Sequence, residues 1–229
     1  MIQIKNLSFG YKRKSYLFDD LSLHIPMGNI YGLLGRNGAG KTTLLKQMVG
    51  LLFPSKGECL IFDKPSQERL PEVLSEIYFI PEEFQLPSIT MNAFTKMHAP
   101  FYPKFDHELL TNYLNEFEIN TNAKLTSLSY GQKKKFLIAF GLATKTKILI
   151  LDEPTNGLDI PSKSQFRRII ASSMDEKRSI VISTHQVRDL ASLIDHIIIL
   201  ESGKVVFNQN TLEISSKLSF VQTKELDHL

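Results

Sequence analysis

The sequence predicts an α/β fold: a mostly parallel sheet covered on both faces, antiparallel β strands at an edge, and an inserted helical lobe. Three observations predict it. Apolar runs recur at Ile30–Leu34, Ile148–Leu151 and Ile197–Leu200, and Ser179-Ile180-Val181-Ile182 is apolar after its first residue, the pattern of strands buried on both faces. Segments of helical spacing separate them, and strand–helix alternation favours parallel pairing through crossovers. Between about residues 82 and 144 the strand signal fades and helical spacing takes over. We read residues 1–229 as one domain, with a core at 1–81 and 145–229 and the lobe at about 82–144.

The elements follow in order. Alternation at Ile2, Ile4 and Phe9, then at Leu21, Leu23 and Ile25, predicts the antiparallel strands. Pro26-Met27-Gly28 is a turn into the strand at Ile30. A Gly-rich loop leads to a helix from about Thr42 to Leu52; Pro54-Ser55-Lys56-Gly57 then turns into a strand around Leu60-Ile61-Phe62. Ile77–Ile80 is a short strand. In the lobe, Asp106 is placed to cap a helix carrying Leu109, Leu110, Tyr113, Leu114 and Phe117, and a second helix runs from about Tyr130 to Ala143. Further helices are expected near Ser162–Ser173 and Gln186–Leu193. Glu201-Ser202-Gly203-Lys204 reads as a hairpin turn into Val205-Val206-Phe207, and the end, Leu226–Leu229, as frayed.

Composition narrows the classes of function. Hydrophobic residues make up 42% and charged residues 22%, as in ordinary soluble proteins. Lys plus Arg is 27 against 24 for Asp plus Glu, a formal charge of +3, too small an excess to argue for a nucleic-acid surface. The run Lys133-Lys134-Lys135 reads as a solvated helix face. The single cysteine, Cys59, fits a reducing compartment and a buried strand thiol. Met1–Lys5 has no basic segment leading an apolar one, so no signal peptide is expected, and no apolar run reaches bilayer-spanning length. A membrane role would therefore act through a partner.

Two motifs carry chemistry. Gly35-Arg36-Asn37-Gly38-Ala39-Gly40-Lys41-Thr42-Thr43 matches G-x-x-x-x-G-K-[ST], between an apolar strand and a helix. The glycines let backbone N–H groups converge on a phosphate and the helix start adds favourable charge. Lys41 supplies a full positive charge, and the Thr42 hydroxyl suits Mg²⁺. The second motif is Asp152-Glu153 after Ile148–Leu151. Consecutive strand residues face opposite ways, so the two acids should have different tasks. Asp152 suits the metal and Glu153 suits polarising an attacking water.

Leu128-Ser129-Tyr130-Gly131-Gln132 resembles the LSGGQ signature of ATP-binding cassette (ABC) proteins. It lies between the two nucleotide motifs, as in that family. Pro154-Thr155-Asn156-Gly157-Leu158-Asp159 resembles the family's D-loop, and Ser183-Thr184-His185 its switch histidine. The resemblance runs from about Ile2 to Asn208. It implies a P-loop NTPase of the ABC ATPase type with ATP and Mg²⁺ as ligands. By it Tyr11 would stack on adenine, with core packing as the plainer alternative. His185 would sense the γ-phosphate, and Lys41, Glu153 and His185 would form the catalytic set. Ser129 and Gly131 would serve nucleotide held by a second cassette in a head-to-tail pair, an identical chain being the simplest partner, and Asp159 of the D-loop would also belong to the nucleotide-binding set.

Two residues depart from the family. Glu82 stands where Gln is usual, and reads either as a group near Mg²⁺ or water or as a solvated loop acid. Tyr130 replaces the signature's second glycine. The family resemblance implies the ATPase subunit of a transporter, peripheral on the cytoplasmic face of the membrane and bound to integral membrane permease subunits, with export the closer analogy. Phe101–Asp106 would either line that contact or pack in the core. The alternative is a soluble cassette acting on nucleic acid, ribosomes or cofactor assembly. The compact lobe, in place of a long coiled coil, and the single cassette argue against it. A third reading, a switch with little turnover, conflicts with Glu153.

Overall fold

The computed structural model describes residues 1–12, 15–121 and 123–217; the expected fraying at Leu226–Leu229 lies outside them. A four-stranded antiparallel sheet, ordered β2-β1-β4-β5, is built from β1 (Ile2–Phe9), β2 (Phe18–Ile25), β4 (Lys56–Ile61) and β5 (Lys64–Pro65). A six-stranded sheet, ordered β10-β9-β3-β8-β7-β6, contains β3 (Ile30–Leu34), β6 (Ile77–Ile80), β7 (Ile148–Asp152), β8 (Ser179–Thr184), β9 (His196–Glu201) and β10 (Lys204–Asn210). Its strands are parallel except β10, which returns against β9 through the expected turn at Ser202-Gly203. Both turn residues have positive φ, 48° and 75°, as a tight two-residue hairpin requires. The N-terminal strands thus form their own sheet, because β4 pairs with β1 and leaves β10 as the antiparallel edge of the parallel one.

The helices are α1 (Lys41–Met48), α2 (Pro71–Leu74), α3 (Met91–His98), α4 (His107–Glu116), α5 (Tyr130–Ala143), α6 (Ile160–Ser172) and α7 (Thr211–Lys217). Apolar residues of α3, α4 and α5 share one buried cluster with one face of the parallel sheet, including Leu149, Leu151, Ile180 and Ile182. The opposite face, through Leu33, Ile150 and Val181, packs with α1 and the antiparallel sheet. Asp106 caps α4 through a 2.9 Å bond from the Leu109 N–H, as predicted. Lys145, 2.7 Å away, is the main cause holding its carboxyl below the usual range.

Two helices end differently from expectation. The helix after the Gly-rich loop stops at Met48, not Leu52. Gly50 (φ 65°) reverses the chain there, its N–H reaching the Gln47 carbonyl and the Leu51 N–H reaching that of Lys46, the bonding of a Schellman stop. The segment Gln186–Leu193 holds only a single 3₁₀ turn, Val187–Asp189. Its polar groups go to α6: Arg167 takes the Asp189 carbonyl that a continuing helix would need, and Lys163 takes the Asp189 carboxylate at 2.6 Å.

Cys59 is buried on β4, and desolvation pushes its thiol up to about 12. Because the thiolate is the reactive form, the native chain should resist alkylation at pH 8 and be labelled once denatured. Labelling at equal rates in both states would contradict this packing.

Candidate active site

Parallel pairing gathers the site. In neighbouring β3, β8, β7 and β6, Leu34 aligns with Thr184, Asp152 with Ser183 and Ile80 with Leu151. Their carboxyl ends therefore deliver the Gly-rich loop, His185, the Asp152–Glu153 pair and Glu82 to one edge, where open α/β sheets bind ligands.

A cavity of about 700 Å³ opens there, within the usual range for small-molecule sites. Tyr11, Asn37, Gly38, Gly40, Lys41, Thr42, Thr43, Glu82 and Glu153 all line it. Gly40 has φ 104°, and a Cβ on it would stand 2.8 Å from the Phe18 ring, so both conformation and space demand glycine. Gly35 and Ala39 face the loop's other side, against Ile199 and Leu200. Tyr11 is 67% exposed at the rim, so core packing is excluded; its hydroxyl shares a 3.0 Å hydrogen bond with Thr43, and its ring meets Phe9 edge-on.

Beneath the loop Lys41, Glu153 and Asp152 each have polar partners. Lys41, buried, donates to the Gly35 carbonyl at 2.9 Å and lies 3.4 Å from Glu153 Oε1. His185 Nδ1 is 2.9 Å from the same oxygen. Glu153 thus links loop lysine and histidine. It does so from a left-handed backbone (φ 45°), with its N–H held by the Ser183 carbonyl and hydroxyl. A non-glycine residue at positive φ is uncommon and is tolerated only where surrounding bonds determine it. Asp152 turns the other way, as predicted. Wholly buried, it accepts from Ser183 Oγ on one oxygen and from Thr42 Oγ1, at 2.7 Å, on the other. A hydroxyl and a carboxylate side by side are the hard oxygen donors that Mg²⁺ prefers, so the residues fit that ion.

Glu82 is no solvated loop acid. It lines the cavity and accepts a 3.0 Å bond from Asn156 Nδ2. Tyr130 is accommodated rather than disruptive: its hydroxyl donates to the Glu82 carbonyl at 2.6 Å and its ring stacks on Phe84. Ser129 and Gln132 form a complete capping box at the start of α5. Ser129, Gly131 and Asp159 do not line the Lys41 cavity. Asp159 instead caps α6, accepting from the Ser162 N–H at 3.0 Å. Loss of the Ser129 hydroxyl by Ser129→Ala should cost about 1 kcal/mol of stability through the cap, read from chemical denaturation; an unchanged midpoint would contradict the capping role.

One residue was misread from sequence. Lys134 is not on a solvated face: it is completely buried. Its ammonium donates to the Glu153 carbonyl at 2.9 Å and the Asn156 carbonyl at 3.1 Å, and lies 5.1 Å from the Tyr130 ring centre. Desolvation lowers it to about 8, against the opposing pull of Glu82, Glu153 and Asp152. The helical period does not single it out: every residue from Phe136 to Ala143 is buried, so Lys133, Lys134 and Lys135 all have buried neighbours three, four and seven residues on.

A phosphate loop, a buried metal-suited carboxylate and a second acid at the ends of parallel strands define a P-loop nucleotide-binding cassette. Residues 18–156 match the family model for ABC transporters. The chain is 32% identical over 212 residues to the SkfA peptide export ATP-binding protein SkfE of Bacillus subtilis, covering 90% of this chain and 87% of that one. It is 32% identical over 246 residues to the methionine import ATP-binding protein MetN of Protochlamydia amoebophila, covering 100% and 72%. A solved ATP-binding subunit of an ABC transporter superposes with a TM-score of 0.82 at 23% identity, covering 95% and 92%, a likeness of fold. The chain belongs to the ABC transporter family, as one of its ATP-binding ATPase cassettes.

Proposed function

We propose that this chain is the ATP-hydrolysing subunit of a transporter, pairing head-to-tail with a second, identical cassette around two Mg·ATP and driving separate membrane subunits. The observation that carries this reading is the Glu153 carboxylate held between Lys41 and His185, next to the Thr42–Asp152 pair. Asn37, Gly38, Ala39, Gly40 and Thr43, with the Gly35 turn, cradle the phosphates, and Tyr11 at the rim supports the adenine. Thr42 and Asp152 hold Mg²⁺, which when bound supplies charge to offset the phosphates. Phosphate oxygens replace Glu153 as the partner of Lys41, freeing that carboxylate to accept a proton from water. His185 then exchanges its bond to Glu153 for one to the γ-phosphate. Glu82 reports on the site from the loop leading to the helices.

Ser129 and Gly131 stand outside the chain's own cavity, at a capped helix start whose N–H groups suit an anion; this supports their contacting nucleotide on the partner, with Asp159 at the same junction. For the membrane subunit, the supporting feature is a groove of about 760 Å³ lined by Leu51, Phe79, Phe101 and Tyr102. Phe101 is 68% exposed, whereas Tyr102 and Phe105 pack on Phe140, so only the first of these aromatics is free for a partner. No helix among the described residues is long and apolar enough to cross a membrane; the peripheral place on the cytoplasmic face belongs to the proposal of a membrane partner. No nucleic-acid partner is assigned.

Similarity to the peptide-export protein supports export; similarity to the methionine-import protein favours the second reading, import. Co-purification of the tagged chain from solubilised native membranes tests the assignment. A stoichiometric multi-spanning partner is expected, with its recovery lowered by Phe101→Asp. Recovery only from the soluble fraction, alone or with ribosomes or DNA, would overturn the transporter reading.

A further inference from the structure

We propose that Lys134 is the positioning residue for Glu153, and that it ties the site's own water-activating acid to the helix start that faces the partner's nucleotide. This rests on the reading of Glu153 given above. Glu153 sits in a left-handed conformation at the end of β7, where its carboxylate reaches Lys41 and His185. The Glu153–Asn156 turn that follows has two carbonyls, those of Glu153 and Asn156, directed at the Lys134 ammonium at 2.9 and 3.1 Å. No water-exposed surface remains on that lysine, so its charge is compensated by these carbonyls and the Tyr130 ring face.

An apolar side chain there would leave both carbonyls without that donor and release the turn toward ordinary backbone angles. The carboxylate would then lose its aim, while the phosphate loop, on another strand, would keep its shape. Lys134 lies on the first turns of α5, just beyond Ser129 and Gly131. A shift of that helix start on meeting the partner's nucleotide therefore reaches Glu153 through one rigid helix and two hydrogen bonds. The same turn holds Asn156 against Glu82, which brings the loop leading to the helices into the same joint.

The test separates turnover from binding. Steady-state ATPase rates and Mg·ATP affinity are measured for the full chain with Lys134→Met and Lys134→Gln. The Met variant should lose at least tenfold in kcat with ATP affinity and KM within about threefold of the parent. The Gln variant keeps N–H donors for the carbonyls and should recover part of the lost kcat. If the Met variant does not fold, the Gln variant carries the test, with a kcat loss at unchanged affinity expected. A kcat within twofold of the parent in the Met variant (or in Gln, if Met does not fold), no recovery by Gln, or a loss shared equally by affinity would overturn the proposal. Glu153→Gln is run beside them. Should that variant turn over normally, the catalytic reading of Glu153 fails, a result distinct from Lys134 failing to position a residue that does matter.

Discussion

Glu153→Gln should abolish most turnover while leaving Mg·ATP binding intact. Positioned general bases contribute about 10²–10⁴ in rate, so a loss of at least about a hundredfold in kcat is expected. The substitution is close to isosteric. The amide keeps its hydrogen-bonding reach to His185, and Lys41 keeps its bonds to the Gly35 and Arg36 carbonyls. The fold should therefore survive. Affinity has a definite expected sign. Glu153 lies 3.4 Å from Lys41, and removing a negative charge beside the phosphate site should leave ATP affinity equal to or tighter than that of the parent. Single-turnover hydrolysis and equilibrium nucleotide titration measure the two quantities separately. Turnover near the parental rate would remove Glu153 from the catalytic role.

Lys41→Ala should do the reverse and weaken ATP itself. A hydrogen bond to a charged group contributes about 1.5–3 kcal/mol, or roughly ten- to a hundredfold in affinity. The loss is read by nucleotide titration. It also leaves buried Glu153 without its cation, so a fall in thermal midpoint should accompany it, because breaking a buried pair exposes the remaining charge to desolvation. Normal ATP affinity in this variant would contradict the phosphate-loop assignment.

The features legible in sequence were those whose chemistry is written in consecutive residues. Ile30–Leu34, Ile77–Ile80 and Tyr130–Ala143 form elements with the predicted bounds, because a continuous apolar strand or a capped helix is specified locally. The phosphate loop and the acid pair were readable for the same reason, and parallel pairing then brings them together. What could not be read depends on distant partners. Arg167 of α6 removes the carbonyl that would have let residues 186–193 continue as a helix. Lys134 looked like one of three surface charges until the Glu153 and Asn156 carbonyls, from a turn far along the chain, enclosed it. Tyr130, a departure from the family's signature, finds its use only when the loop at Glu82 folds over it.

The most direct test of the ATP-clamped pair is the solution mass of the Glu153→Gln chain by light scattering, with and without saturating Mg·ATP. The account predicts monomer without nucleotide and a dimer with it, trapped because hydrolysis is blocked and dispersed again by adding Ser129→Asp. A monomer at saturating Mg·ATP, with nucleotide demonstrably bound, would contradict it.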